Sequence, residues 1–432
     1  MQIVNSMFDE SDRSTLPSAS LSTALAHLKL GDFQRRWDIA KTIPDFGEAA
    51  IAPLVSLLQA EAEEDWELTW FIARILGSLK HPEAMAALVD LIRTTASEDV
   101  ATTATAALTQ MGTEAIAPLQ TLLSQPSTYC LGVQALAQIR HPDVVPSLLE
   151  AMQHESVALR VAAIDALSHF QHPQISAALL KALHDSAAKV RQSAVTTLGL
   201  QAALYENPQE LADRLKPLLW DVNLEVCQQS AVALGRIGTE SAVVALFEVL
   251  RSPHALPLQI EAVRALGWIG TPDALDRLQE FLNLQRDLLC QESCQESLTV
   301  LGRVESAEAK RQATQILLNL LQSAHAIAQT DRGKQAIALS LGQLKQPQAL
   351  EALIQLLADA SASVRLHAIA ALKQLDTLGV LHLDHQLFRP IKPLEPQTTQ
   401  EILRAIAAQK NLDADLQRGV AIALQEWGNS AD

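Results

Sequence analysis

Aromatic residues are scarce in this chain: 4% of its 432 residues, with only two tyrosines. An all-β core packs its pleated faces with aromatic and β-branched side chains, so this composition argues against one. Cysteine is equally sparse, and four in so long a chain make no disulfide framework, which points to a reducing, cytoplasmic setting. Long apolar runs are missing too. The longest uncharged stretch, Ala115 to Ile139, carries Gln, Ser, Thr and two prolines, and reads as two helices and a turn rather than a membrane span. The opening MQIVNSMFDESDRS lacks a basic start followed by an apolar stretch, so no signal peptide is expected. Runs of Lys and Arg are absent, and 49 acidic against 33 basic residues leave a net charge of −16. Such a surface repels phosphate backbones, which argues against general nucleic-acid binding. No H-E-x-x-H, G-x-S-x-G or P-loop occurs, and no nucleophile, base and orienting group assemble. Catalysis is therefore not the leading expectation.

What the chain has in quantity is Ala and Leu, within a hydrophobic fraction of 48%. These are strong helix formers that lose little side-chain freedom in a helix, so an all-α fold is expected. The helices come in repeats. HPEAMAALVDLI from 81, HPDVVPSLLEAM from 141, HPQISAALLKAL from 172 and TPDALDRLQEFL from 271 share a start signal, with Pro at the first helical position. Between them stand Ala-rich stretches such as VRQSAVTTLGL from 190, VCQQSAVALGRIG from 226 and LQIEAVRALGWIG from 258. Their Leu-Gly pairs predict close helix contact and a glycine cap. Pro142 to Pro173 is a step of 31 residues, and Pro173 to Pro208 one of 35. Two helices in so short a unit cannot bury their apolar faces alone, but stacked on like neighbours they share one core.

The pairs Val190-Arg191 and Val364-Arg365, with Leu159-Arg160 as a variant, each open an Ala/Leu-rich helix. Asp185 and Asp359 stand six residues before Arg191 and Arg365. Over roughly residues 30 to 375 the chain resembles HEAT repeats, in particular the HEAT-like repeats of cyanobacterial phycobilisome lyases. The resemblance implies an α-solenoid superhelix of about ten helical hairpins. It also implies acid–arginine pairs that lock each repeat to the next, and a concave face lined by the second helix of each hairpin. The expected organisation is a disordered N-terminal segment over 1–19, a solenoid over 20–375, a proline-containing linker over 376–397 and a capping helical pair over 398–432.

Counting back eight residues from each Leu-Gly glycine marks one recurring slot, held by Arg191, Cys227 and Cys294 in three units and by Thr69, Gln259 and Lys334 in others. Cys290 lies four residues before Cys294, on the same face if the run is helical. Two readings stand for these thiols. They are small packing residues, or Cys290 and Cys294 offer thiolates to a metal or iron–sulfur cluster shared with a partner, because a closed site needs four ligands. Trp66 and Trp70 are also four apart, beside the acidic run EAEED, and Trp37 precedes them by one unit. They belong to the core, or they form a docking patch. The candidate partner-binding residues are thus Trp37, Trp66, Trp70, Cys227 and Trp268. His81, His141 and His172 stand before prolines as turn residues, and His382 with His385 has a metal-like spacing but no third ligand.

The leading expectation is a non-catalytic scaffold whose concave face holds another protein and which carries no cofactor of its own. Among proteins with similar repeats, one binds an A-type iron–sulfur carrier, so a carrier bringing its own cluster is the first candidate partner. The alternative is a bilin lyase subunit of the E/F type acting on phycobiliproteins. A generic assembly factor is the third.

Overall fold

Helices and short 3-10 turns account for the regular structure of the computed structural model, which describes residues 20–61, 65–285, 291–376, 398–409 and 413–428; no strand occurs among them. Residues 1–19 and 377–397, expected above to be a disordered segment and most of a linker, lie outside the described residues, as do Cys290, His382 and His385. The chain forms two compact units, Met1–Thr197 and Leu198–Asp432.

The first unit is a run of hairpins. Helix α1 (Leu21–Leu30) pairs with α2 (Phe33–Ala40), α3 (Ile51–Glu61) with α4 (Trp66–Leu79), and α5 (Pro82–Thr94) with α6 (Glu98–Met111). Next, α7 (Ile116–Thr121) pairs with α8 (Pro126–Gln138), and α9 (Val145–Ala151) with α10 (Val157–Leu167). The helices α11 (Pro173–Ala182) and α12 (Ala188–Leu200) follow, and the boundary between units falls inside α12.

The second unit repeats the scheme. Helix α13 (Pro208–Leu215) pairs with α14 (Leu224–Ile237), α15 (Glu240–Arg251) with α16 (Leu256–Ile269), and α17 (Pro272–Leu284) with α18 (Gln291–Leu301). Then α19 (Ala307–Gln322) pairs with α21 (Asp331–Leu344) across the single turn α20 (Ala326–Gln329). The unit ends with α22 (Leu350–Gln355) on α23 (Ala362–Asp376), and α24 (Thr399–Ala407) on α25 (Ala414–Gly428). Within each unit second helices pack on second helices, α2 through α10 and α14 through α23, and first helices on first helices, α3 through α7 and α13 through α19. Each unit is therefore an all-α solenoid stack, its core formed by Leu, Ile, Val and Ala from both layers. The last hairpin exchanges layers: α24 lies on α23, whereas α25 lies against α22 and the turn after it.

Local chemistry explains the helix starts. Pro82, Pro173, Pro208 and Pro272 all stand at first helical positions. The histidines before such prolines cap the turn: backbone N–H groups of Glu83, Asp143 and Gln174 donate to Nδ1 of His81, His141 and His172 at 3.2, 3.3 and 3.3 Å. That assigns these histidines to turn geometry.

The Leu-Gly glycines hold the second helices together. A Cβ placed on Gly235 would lie 2.9 Å from Cβ of Ala265 on the next second helix, and one on Gly342 would lie 2.8 Å from Cα of Ala371. These contacts are tighter than a side chain tolerates. The capping part of the sequence expectation falls elsewhere. Gly235 and Gly267 lie inside their helices, and the left-handed caps are Gly238 and Gly270, at φ 70° and 59°.

Candidate functional site

Asp185 gives up its carboxylate to the repeat before it. Arg160, near the start of α10, donates from Nε and Nη2 to the two carboxylate oxygens at 2.9 and 2.8 Å, a bidentate fork. The remaining Nη1 donates to the carbonyls of His154 and Glu155 in its own hairpin loop, at 2.8 and 2.9 Å. Lys334 of α21 likewise reaches Asp359 of the next hairpin at 2.6 Å, and Arg36 of α2 holds Asp65, the cap of α4, with 3.1 Å between Nη1 and Oδ1. The pairing thus differs from the six-residue spacing read in the sequence. Arg191 and Arg365 donate instead to the main-chain carbonyls of Asp185 and Asp359, at 2.8 and 2.7 Å. The reason is steric: residues six apart here lie on one loop-to-helix turn, where the arginine caps carbonyls while the carboxylate points to the neighbouring repeat.

Cys227 shows what a thiol does in that slot. Its Sγ donates to the carbonyl of Asp221 at 3.1 Å, replacing the arginine's hold on its own loop. It is buried, and burial together with the nearby Asp221 charge pushes its thiol up from the ordinary range. Cys294, in the same slot of α18, is 2% exposed. Among the described residues no group of three or more His, Cys, Asp or Glu is placed to hold a metal ion. The Cys290 half of the expected thiol pair lies outside the described residues.

The tryptophans behave differently. Trp37 on α2 stacks on Phe33 at 5.9 Å between ring centres; Phe33 meets Phe71 of α4 at 5.5 Å; and Phe71 meets Trp70 edge-on at 4.9 Å. Four rings on two successive second helices thus form one continuous surface. Phe71 is its buried floor, Trp37 and Trp70 are half-buried, and Phe33 is exposed. A cation stands over each indole: Lys41 at 5.8 Å from Trp37 and Arg74 at 4.8 Å from Trp70. Burial pulls the Arg74 guanidinium below its usual range, so this cation is partly stripped of water. Trp66, one turn before Trp70, is 60% exposed.

The structure therefore brings Trp37 and Trp70 together through Phe33 and Phe71. Cys227 and Trp268 lie in the other unit, on α14 and α16. Sequence reasoning overlooked Phe33, Lys41, Phe71 and Arg74. A signal for two of them existed: Trp37 and Trp70 each precede a cation by four residues, one helical turn.

Away from this patch the exposed or half-exposed positions of the second helices mix uncharged polar residues, such as Thr102, Gln110, Gln134 and Gln228, with charged ones, such as Asp165, Arg236 and Glu261. Most of the charge lies elsewhere on the chain. The arrangement offers rings, amides, hydroxyls and scattered charged groups to a partner.

Comparison with known proteins follows the same lines. A family model described as HEAT repeats matches residues 51–131, 124–199, 176–259 and 211–299, together more than half of the chain. A second model, the PBS lyase HEAT-like repeat, matches residues 334–359. No curated protein matches. Among solved structures, importin beta in an ammonium sulfate condition is 12% identical, covering 93% of this chain and 60% of that one, with a TM-score of 0.52. A structure of Kap95p binding RanGDP is 13% identical, covering 94% of this chain and 61% of that one, with a TM-score of 0.55. This chain thus spans about three fifths of either one. At such identities the likeness shows the fold alone.

Proposed function

This chain belongs to the HEAT-repeat family, and from that premise we propose that it is a non-catalytic scaffold that binds another protein on its second-helix face. The observation that carries the reading is the surface of Phe33, Trp37 and Trp70 over Phe71, with Lys41 and Arg74 beside it. In a chain with 4% aromatics, gathering four rings on two neighbouring helices leaves Phe33 exposed where burial would be favourable. Trp and Arg are also the residues that dominate binding energy at protein interfaces.

The first partner we put forward is an A-type iron–sulfur carrier, chosen on the resemblance and on the spacing of Cys290 and Cys294. The aromatic surface supplies the grip and the carrier brings its own cluster. The alternative, an E/F-type bilin lyase, draws on the same rings, because a planar pigment bearing carboxylates would suit Trp37 and Trp70 flanked by Lys41 and Arg74.

Affinity capture from native extract with the wild-type chain and a Trp37→Ala, Trp70→Ala variant tests the reading. The expected result is a stoichiometric protein companion that drops about tenfold or more on the variant. A brown, iron-containing companion identifies the carrier, and a bilin adduct the lyase. Equal recovery by both chains, or turnover by the isolated chain without added protein, would overturn the scaffold reading.

A further inference from the structure

In the second unit an exposed residue follows each Leu-Gly glycine that packs on the next second helix. Gly199 lies on Ala233, Gly235 on Ala265, Gly267 on Val300 and Gly302 on Ser340. The residues one step later, Leu200, Arg236, Trp268 and Arg303, therefore occupy one register, at the ends of α12, α14 and α16 and in the turn just after α18. All four are exposed, Leu200 and Trp268 each at 60%. Among the described residues neither Arg236 nor Arg303 makes an ion pair, and Trp268 meets no other ring or cation. The arginine one turn earlier is already engaged: Arg264 holds Glu296 and Glu261, both at 2.8 Å.

A row of guanidinium, indole and guanidinium has a definite complement. Packed helices stand about 10 Å apart, and an extended peptide advances about 3.3 Å per residue, so about three peptide residues span one repeat. Arginine forks grip carboxylates in pairs of parallel hydrogen bonds, and an exposed indole gains by covering an apolar side chain. We propose that Arg236, Trp268 and Arg303 bind a short extended acidic segment of a partner protein, with the pattern acid-x-x-apolar-x-x-acid. The proposal rests on the scaffold reading and gives one part of the second-helix face its partner chemistry. The net charge of −16 opposes an acidic partner at long range. That field is screened beyond about 8 Å at physiological ionic strength, so the two contacting guanidinium groups set the preference. The nearby acids Glu240 and Glu305 would favour a basic segment instead, which makes the sign of the preference a direct test.

The test uses the full chain and a fluorescein-labelled peptide, GDSSLSSDG, with its lysine counterpart GKSSLSSKG. Fluorescence anisotropy should show saturable, salt-sensitive binding of the acidic peptide only. Trp268→Ala should weaken it about tenfold. Arg236→Glu with Arg303→Glu should abolish it and transfer binding to the lysine peptide. All three positions are exposed, and unchanged circular dichroism confirms that the variants fold. Absence of saturation, equal or better binding of the lysine peptide by the wild type, or unchanged affinity in the variants would overturn the proposal. The Trp37→Ala, Trp70→Ala variant should bind the acidic peptide as the wild type does. If the peptide fails while extract capture still depends on Trp37 and Trp70, only this inference falls.

Discussion

Arg160 spends one guanidinium on two repeats: its fork holds Asp185 of the next hairpin, and its free nitrogen holds two carbonyls of its own loop. Both side chains are mostly shielded, at 11% and 16% exposure. Burial by itself raises the Asp185 carboxyl. The hydrogen bonds from Arg160 and the Ala187 N–H, with the charges of Arg160 and Arg191, outweigh burial and hold it below the usual range. A carboxyl depressed by folding stabilises the fold above its unfolded value, near 4, and loses that contribution as pH falls through its folded value. Arg160→Ala should therefore destabilise the protein by about 3 kcal/mol at neutral pH, the low end for breaking a buried pair. In a urea titration the deficit should shrink below about pH 4. An equal deficit at every pH would mean that the loss is packing rather than charge.

Second helices stack closely because glycine and alanine leave no side chain between them. Gly235→Ala in an ordinary helix would stabilise by about 1 kcal/mol. Here the new Cβ meets Ala265 at 2.9 Å, and α14 and α16 must part or strain. We expect a net loss of about 1–3 kcal/mol, read as a lower unfolding temperature, whereas Gln228→Ala on the same helix should stay within about 0.5 kcal/mol. An unchanged or raised melting temperature for Gly235→Ala would show that the helices have room to spare.

Within each unit, energy passes from neighbour to neighbour. A stack of hairpins opens locally, because each repeat touches only those beside it. After Arg160→Ala, hydrogen exchange should quicken in α9, α10 and α11 and stay as in the wild type in α21 and α23. A uniform rise throughout would mean that the chain unfolds as a single cooperative body. No described helix is long and apolar enough to cross a membrane.

The all-α solenoid was legible in the residues themselves. Proline at first helical positions, Ala/Leu periodicity and a step of just over thirty residues are local signals, and local signals suffice where each unit repeats its neighbour's contacts. The tryptophans were legible as candidates, but their grouping was not. Phe33 and Phe71 lie 38 residues apart in the chain, and only the packing of α2 on α4 turns two tryptophans into one aromatic surface. Acid–arginine locks between repeats were expected, but which cation each acid takes escaped for the same reason. Spacing along the chain shows which residues share a turn, whereas a carboxylate's partner is set by the helix that the stack brings against it, as Arg160 is brought to Asp185.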